Sequence, residues 1–303
     1  MLRLVKKLAY IFLVFIIVYT IVFVLFVLLP GDPARILAGT DAPQEVVDEI
    51  RREIMFDRPL YERYLKNLIN ILKMDFGKSF ITRMPVLPEV LDSGVETLKY
   101  SFTALFISAF YSLLTSVIYF FKKAGIINRI NSLFLSFPRL IVSISLSIIF
   151  LYVIVGEAIP FGTGFTGSIY TENFLIASIS LAVHPACSLS MILIQEQERL
   201  RVSPFVRTLN SFGFPSFVVF LHIFRVSLVP WLSQLSNVAA SLVTGSIIIE
   251  SIFSLPGLGR LLLRSVFNHD FPVLQAVVIL SLVLFVMIDA FFKIFYKFIS
   301  ELR

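Results

Sequence analysis

Residues 8–29 read LAYIFLVFIIVYTIVFVLFVLL, and this stretch carries no charged side chain. A helix rises about 1.5 Å per residue, so these 22 residues can cross the roughly 30 Å hydrocarbon core of a bilayer. A cleaved signal peptide would have a shorter apolar region, followed by small residues at the cleavage site. The stretch is therefore predicted to be an uncleaved transmembrane helix.

Five further apolar stretches follow along the chain, at 98–121, 140–156, 174–194, 226–249 and 273–292. Apolar residues make up 57% of the sequence and charged residues only 15%, whereas a soluble domain carries about 25% charge. One protein core cannot bury so many apolar side chains, so lipid must cover part of them. The sequence predicts an all-α membrane protein with about six transmembrane helices.

Basic residues are distributed unevenly between the predicted loops. The amino-terminal segment and the loop 122–139 contain bases and no acid, the loop 195–225 has more bases than acids, and the loop 157–173 has acids only. Positive charge marks loops that stay on the cytoplasmic side. We therefore expect a multi-pass protein of the cell (inner or plasma) membrane with both termini in the cytoplasm. The net charge of +6 needs no nucleic-acid partner, because no soluble segment combines a basic patch with aromatic residues.

Three parts follow from this layout: an amino-terminal transmembrane anchor (1–29), an outer-face subdomain (30–97) and a core of five transmembrane helices (98–303). In the outer subdomain, Val47, Ile50 and Ile54 recur at helical spacing after Asp41, a candidate helix cap. A second set with this spacing comprises Tyr61, Tyr64, Leu65, Leu68 and Leu72. Two amphipathic helices are predicted there.

Residues that would carry catalysis or hold a cofactor are not grouped in the sequence. Residues 77–79 read GKS like the end of a phosphate-binding loop, but Leu72 stands where that motif needs glycine. Cys187 is the single cysteine, and the three histidines are scattered at positions 184, 222 and 269. We therefore predict no bound cofactor, no metal site and no enzymatic activity. For His184, inside the fourth span, a hydrogen bond to a neighbouring helix is favoured over a proton relay.

Two rows of polar residues lie at helical spacing within predicted spans. One follows the second span, with Ser101, Ser108, Ser112 and Thr115. The other follows the fifth span, with Ser233, Asn237, Ser241 and Thr244. Such a row turns away from lipid, either to pack against another helix or to line a pathway. The Asn237 row is the better pathway candidate, because an asparagine costs more than a serine to leave against lipid.

Several segments, taken together and in order, resemble the dipeptide/oligopeptide/nickel family of ABC-importer permeases, the binding-protein-dependent transport system inner membrane components. After the first span they read LPGDP (29–33), DRPL (57–60), YL (64–65) and DFGKS (75–79). TL (97–98) opens the second span and SFP (136–138) precedes the third. The most specific match is PGLGR (256–260) followed by DFP (270–272).

The resemblance implies a type I importer fold and a permease subunit that forms half of a pathway for peptides by alternating access. It implies four kinds of partner: a second related permease, two cytoplasmic ABC ATPases that hydrolyse the ATP, an extracytoplasmic solute-binding protein and the lipid bilayer. The residues that match the family's ATPase-coupling loop, within 195–225, are Arg207, Thr208, Phe212, Gly213, His222 and Arg225. Those that match its outer-loop motif are Glu250, Pro256, Gly257, Gly259, Arg260 and Asp270.

The coupling loop departs from the family pattern at four positions. Relatives have a small residue, a base, a small residue and lysine before the glycine, whereas this chain has Leu209, Asn210, Ser211 and Phe212. Import of nickel or oligosaccharides by the same architecture is the alternative for the solute. A secondary transporter or channel is the alternative class, and it would be marked by intramembrane charges or inverted repeats.

Overall fold

The computed structural model describes the backbone of residues 2–28, 32–39, 42–122, 125–155 and 168–301. These ranges are helical apart from turns and one isolated β-bridge between Lys78 and Pro85. The helices are α1 (Leu2–Leu28), α2 (Pro33–Ala38), α3 (Gln44–Glu53), α4 (Leu60–Leu72), α5 (Val86–Lys122), α6 (Gly125–Leu135), α7 (Arg139–Val155), α8 (Ser168–Arg201), α9 (Pro204–Ser211), α10 (Ser216–Ile252), α11 (Leu258–Phe267) and α12 (Phe271–Glu301).

Each predicted transmembrane segment coincides with a helix, namely α1, α5, α7, α8, α10 and α12. Within the described ranges, 4 helices are long and apolar enough to cross a membrane, or 5 if the bent pair of α6 and α7 is one span. The part of α1 with described side chains, Leu13–Leu28, is a shorter apolar helix. The predicted all-α membrane fold is confirmed.

The prediction of a loop at 122–139 was wrong, because α6 occupies most of it. Tyr111 Oη donates to Asn131 Oδ1 at 3.0 Å, and Asn131 Nδ2 donates to Ser190 Oγ at 2.8 Å. These bonds hold the buried polar side chain of α6 against α5 and α8. Pro138 has no backbone N–H and disfavours a helical conformation at Phe137, so α6 ends before it. The chain then bends by 101° into α7.

The segment 195–225, which contains the predicted coupling loop, is mostly helical. The helix α8 continues to Arg201, α9 fills Pro204–Ser211, and α10 begins at Ser216. Likewise α5 begins at Val86, well before the apolar run at 98–121. Hydropathy marks only the part of a helix that lies in hydrocarbon, whereas the backbone hydrogen bonds continue into water.

The chain forms two compact units, one made of Met1–Glu96 with Pro256–Val283 and the other of Thr97–Leu255 with Leu284–Arg303. We call them the first and second unit. The core of the first unit is aromatic: Phe23 and Phe26 pack on Phe271, with ring centroids 5.9 Å and 4.5 Å away. Tyr19 Oη donates to the carbonyl of Tyr64 at 2.9 Å, which joins α1 to α4.

A buried carboxylate ties distant parts of the first unit together. Asp270 accepts a hydrogen bond from Ser79 Oγ at 2.5 Å and another from Phe80 N at 3.1 Å. The Ser79 hydroxyl also accepts from the backbone N–H groups of Ile81 and Thr82. The turn after α4 is thereby fixed to the residue that precedes α12.

Two amphipathic helices occur in the outer segment as predicted, but the α4 face differs from the predicted one. The structure buries Arg63 and Ile71 in α4, whereas Tyr61, Leu65 and Leu72 are exposed. In α3 the buried residue is Val47, and the helix begins after Pro43. The predicted cap at Asp41 lies outside the described residues.

In the second unit α8 lies at the centre, in contact with α6, α7, α9 and α10. Its core brings Leu181, Leu189 and Leu193 of α8 together with Trp231 and Leu242 of α10. Polar side chains inside this core are paired across helices: Thr115 bonds Ser190 at 2.7 Å, and Gln197 Nε2 donates to Ser116 Oγ at 2.5 Å. These pairs give the Thr115 and Ser190 hydroxyls and the Gln197 amide N–H group a partner away from water.

Replacing Asp270 by alanine is expected to destabilise the first unit. Two hydrogen bonds to a buried carboxylate are lost and Ser79 is left without its acceptor, a loss of about 3 kcal/mol. Denaturant titration of the purified chain in mixed micelles, followed by circular dichroism, measures the change. Asp48→Ala is the control, since that exposed carboxylate pairs only with Arg51 and Gln44 at the surface. Equal unfolding midpoints for the two variants would contradict the assigned role of Asp270.

Candidate functional site

The predicted coupling loop contains a short amphipathic helix, α9, held by its apolar side. Ser203 Oγ accepts from the backbone N–H of Val206 at 3.4 Å, and Pro204 occupies the first turn, so the start of α9 is capped. Val206 is buried with Val219 and Ile223 of α10. Leu209 packs against this cluster, which gives a structural reason for an apolar residue at that position.

A glycine ends the turn after α9. Gly213 has φ = 75°, and the backbone N–H of Phe214 donates to the Leu209 carbonyl at 3.3 Å, the pattern of a left-handed helix end. A Cβ at Gly213 would meet nothing within 4 Å in this chain. Within this chain, therefore, the role of Gly213 is the positive-φ turn and not a close approach to another group.

All six residues assigned to the coupling loop are on the surface. Arg207, Thr208, Gly213, His222 and Arg225 are exposed, and Phe212 is 77% exposed. The His222 ring stands edge-on to Phe205, with centroids 5.9 Å apart. Further exposed apolar side chains in this region are Val202, Phe205, Phe214, Phe217 and Leu221. An apolar surface bordered by arginines is typical of a binding surface for protein or lipid.

The polar row on α10 lies on an open face of its unit. Ser233, Asn237 and Thr244 are exposed and Ser241 is half-buried, whereas Leu242 on the opposite face is buried. Beside Ser233 an open cavity of about 580 Å³ extends toward α8. Its polar lining residues are Gln195, Glu196, Arg199, Ser233 and Gln234. The row and the cavity together form an open polar surface on this unit.

The polar row on α5 is a packing surface. Ser108 Oγ donates to the Ala182 carbonyl at 3.0 Å, and Trp231 Nε1 donates to Ser112 Oγ at 3.0 Å. Ser101 and Thr115 are buried as well. This row is therefore enclosed by α8 and α10 and does not line an open surface.

The residues of the outer-loop motif divide between the two units. In the second unit Glu250 is buried and accepts hydrogen bonds from Thr97 Oγ1 at 2.8 Å and Ser246 Oγ at 2.6 Å. In the first unit Gly257, Gly259 and Asp270 are buried, Arg260 is half-buried and Pro256 is exposed. Both carboxylates are thus held by hydroxyl groups inside their own unit.

Sequence reasoning missed a contact between Arg139 and the polar row of α10. Arg139 Nη1 donates to the Ser241 carbonyl at 3.1 Å and to Ser241 Oγ at 2.9 Å. A Cβ at Gly245 would lie 2.6 Å from Arg139 Nη2, so a larger residue there would require the guanidinium to shift. The isolated glycine within an apolar helix was the available signal, since it often marks a close approach. In the sequence, Arg139 is the last residue of the predicted basic loop 122–139, which is why its contact with α10 was not predicted.

The sequence matches the family model described as binding-protein-dependent transport system inner membrane component over residues 107–301. It also matches the model of the corresponding N-terminal region over residues 1–101. The glutathione transport system permease proteins GsiC of Shigella boydii serotype 4 (strain Sb227) and Escherichia coli (strain K12) are each 27% identical over 290 residues. Each alignment covers 94% of this chain and 92% of the relative. The chain belongs to the family of binding-protein-dependent transport system inner membrane components, the permease subunits of ABC importers.

Proposed function

We propose that this chain forms half of the pathway of an ABC importer for short peptides. The observation that carries the proposal is the polar row of α10, which is open on one side, whereas the other polar side chains described in the apolar spans are largely enclosed. Hydroxyl and amide groups suit the peptide groups of a solute. The similarity to glutathione permeases supports a peptide as the solute, because glutathione is itself a small peptide.

A second, related permease would cover the row of Ser233, Asn237, Ser241 and Thr244 and supply the other half of the pathway. Two cytoplasmic ATPases would dock at α9 and hydrolyse the ATP, and an extracytoplasmic binding protein would deliver the solute. Closure of the ATPases would push α9 and shift the bundle between inward-facing and outward-facing states. This division of work needs no cofactor, metal or nucleic acid on this chain.

Replacing Asn237 by leucine tests the pathway. We expect uptake of labelled glutathione or a labelled dipeptide to fall at least about tenfold, because one hydrogen bond to the solute in the pathway is lost. Uptake is measured in vesicles that contain the complete importer. Thr103→Val is the matched control, since Thr103 is half-buried on α5 and its hydroxyl donates to the Lys99 carbonyl of the same helix. Unaffected uptake in Asn237→Leu would remove this row from the pathway.

The surface at α9 is tested by Phe212→Asp. If Phe212 inserts into an ATPase, its loss removes about 2 kcal/mol or more of interface energy and weakens ATPase association at least about tenfold. Co-purification of the ATPases with the wild-type and variant complexes measures this, and uptake should fall in parallel. The alternative location for Phe212 is the lipid interface. Unchanged co-purification and uptake would support that location instead.

Orientation is tested with single cysteines at Asn67 and Asn210 in a Cys187→Ser background. The charge distribution predicts that residue 67 is outside and residue 210 inside. A thiol reagent that does not cross membranes should therefore label only position 67 in sealed cells, and both positions after permeabilisation. Labelling of both positions in sealed cells would refute this topology.

A further inference from the structure

The first unit contains a cavity of about 200 Å³ that transport does not explain. It lies between α4, the turn between α3 and α4, the segment 75–80 and the first turn of α12. The basic and amide side chains that line it are Arg58, Arg63, Lys66, Asn67, Asn70, Lys78 and Gln275. Its volume is below the roughly 300 Å³ at which pockets for drug-sized ligands begin, so it suits a smaller ligand.

Arg63 is the most unusual residue of this cavity. The residue is 9% exposed, and its side chain makes no hydrogen bond or ion pair with the described residues, whereas its backbone N–H donates to the Pro59 carbonyl. Its guanidinium carbon lies 3.5 Å from the centroid of the Phe56 ring, a cation–π contact that satisfies none of its N–H donors. Burial lowers the pKa of this guanidinium, and no carboxylate opposes the effect. Because no described carboxylate pairs with this guanidinium, its N–H donors are available to a ligand in the cavity.

A second unpaired polar group, Gln275, faces the same cavity. Its side chain is 5% exposed, and its Oε1 has no hydrogen-bond partner among the described residues. Beside this acceptor oxygen the amide carries two N–H donors on Nε2, and those donors can bond a carboxylate. Gln275 belongs to the start of α12, where the helix dipole places partial positive charge.

The acidic residues around the cavity are engaged elsewhere. Glu53 pairs with Arg83, and Glu62 pairs with Arg58 at 3.8 Å. Asp75 accepts the backbone N–H of Gly77 at 2.9 Å. The acids thus leave Arg63 without a partner.

We propose that this cavity is a binding site for a small carboxylate, held by the guanidinium of Arg63 with Gln275 as a second donor. A guanidinium presents paired N–H groups that match the two oxygens of a carboxylate, and the contact is strongest away from water. Lys66, Lys78 and the amides of Asn67 and Asn70 supply further donors around it. The proposal does not depend on the transported solute or on the partner subunits.

The test is equilibrium dialysis of the purified full-length chain in detergent against labelled succinate at constant ionic strength. We expect saturable binding of one succinate per chain, competed by unlabelled succinate but not by the neutral analogue succinamide. Arg63→Gln should weaken binding at least tenfold, and Arg63→Lys should weaken it less, since it keeps the charge but loses the paired N–H groups. Arg52→Gln, which removes the same charge from the exposed surface of α3, should bind as the wild type does.

Gln275→Glu gives an independent test that does not remove Arg63. It places a carboxylate inside the cavity, so succinate binding should be lost while the variant elutes from size exclusion like the wild type. The proposal is overturned if wild-type binding does not saturate, or if a folded Arg63→Gln variant binds succinate as tightly as the wild type. Saturable binding of inorganic phosphate in place of succinate would also overturn it, because the site would then select another anion.

Discussion

A backbone amide inside a bilayer has no water to bond, so each segment that crosses must satisfy its own N–H and C=O groups. This constraint explains why the spanning segments are helices. Buried polar side chains of the second unit likewise need partners within the protein. Asn131 is held by Tyr111 and Ser190, and Glu250 by Thr97 and Ser246. Polar residues in these helices therefore act as contacts between specific partners, and they fix which helices become neighbours.

The helix α10 uses its two faces for different purposes. Its apolar face, with Trp231 and Leu242, packs into the core against α8 and α5. On the other face Ser241 Oγ donates to the Val238 carbonyl at 2.9 Å and Thr244 Oγ1 to the Ser241 carbonyl at 3.2 Å. Because these hydroxyls bond their own backbone, the face can stay open without leaving them unsatisfied. The same helix can thus hold the unit together and offer a polar surface to a second chain.

Apolar runs were enough to locate six helices, of which 4 in the described ranges, or 5 if α6 and α7 form one span, are long and apolar enough to cross a membrane. They could not show α6, whose apolar stretch is short and whose Asn131 points inward. Helical spacing alone could not separate the rows of α5 and α10, and only the presence of Asn237 favoured the α10 row as a pathway candidate. The difference between the two rows depends on partners distant in sequence, such as Trp231 for Ser112. The cavity around Arg63 could not be predicted for a similar reason. Its neighbour Phe56 is close in sequence, but Phe271 and Gln275, which line the same cavity, are distant in sequence.

The bond between Ser79 and Asp270 joins residues 191 positions apart. A ribosome adds about 5–20 residues per second, so roughly 10–40 s pass between the synthesis of the two partners. During that interval Phe23 and Phe26 lack the ring of Phe271, and lipid has to shelter them. The first helices to be made are therefore among the last to reach their final neighbours, and a chain that stops short of residue 270 leaves its amino-terminal third without the residues that close its core.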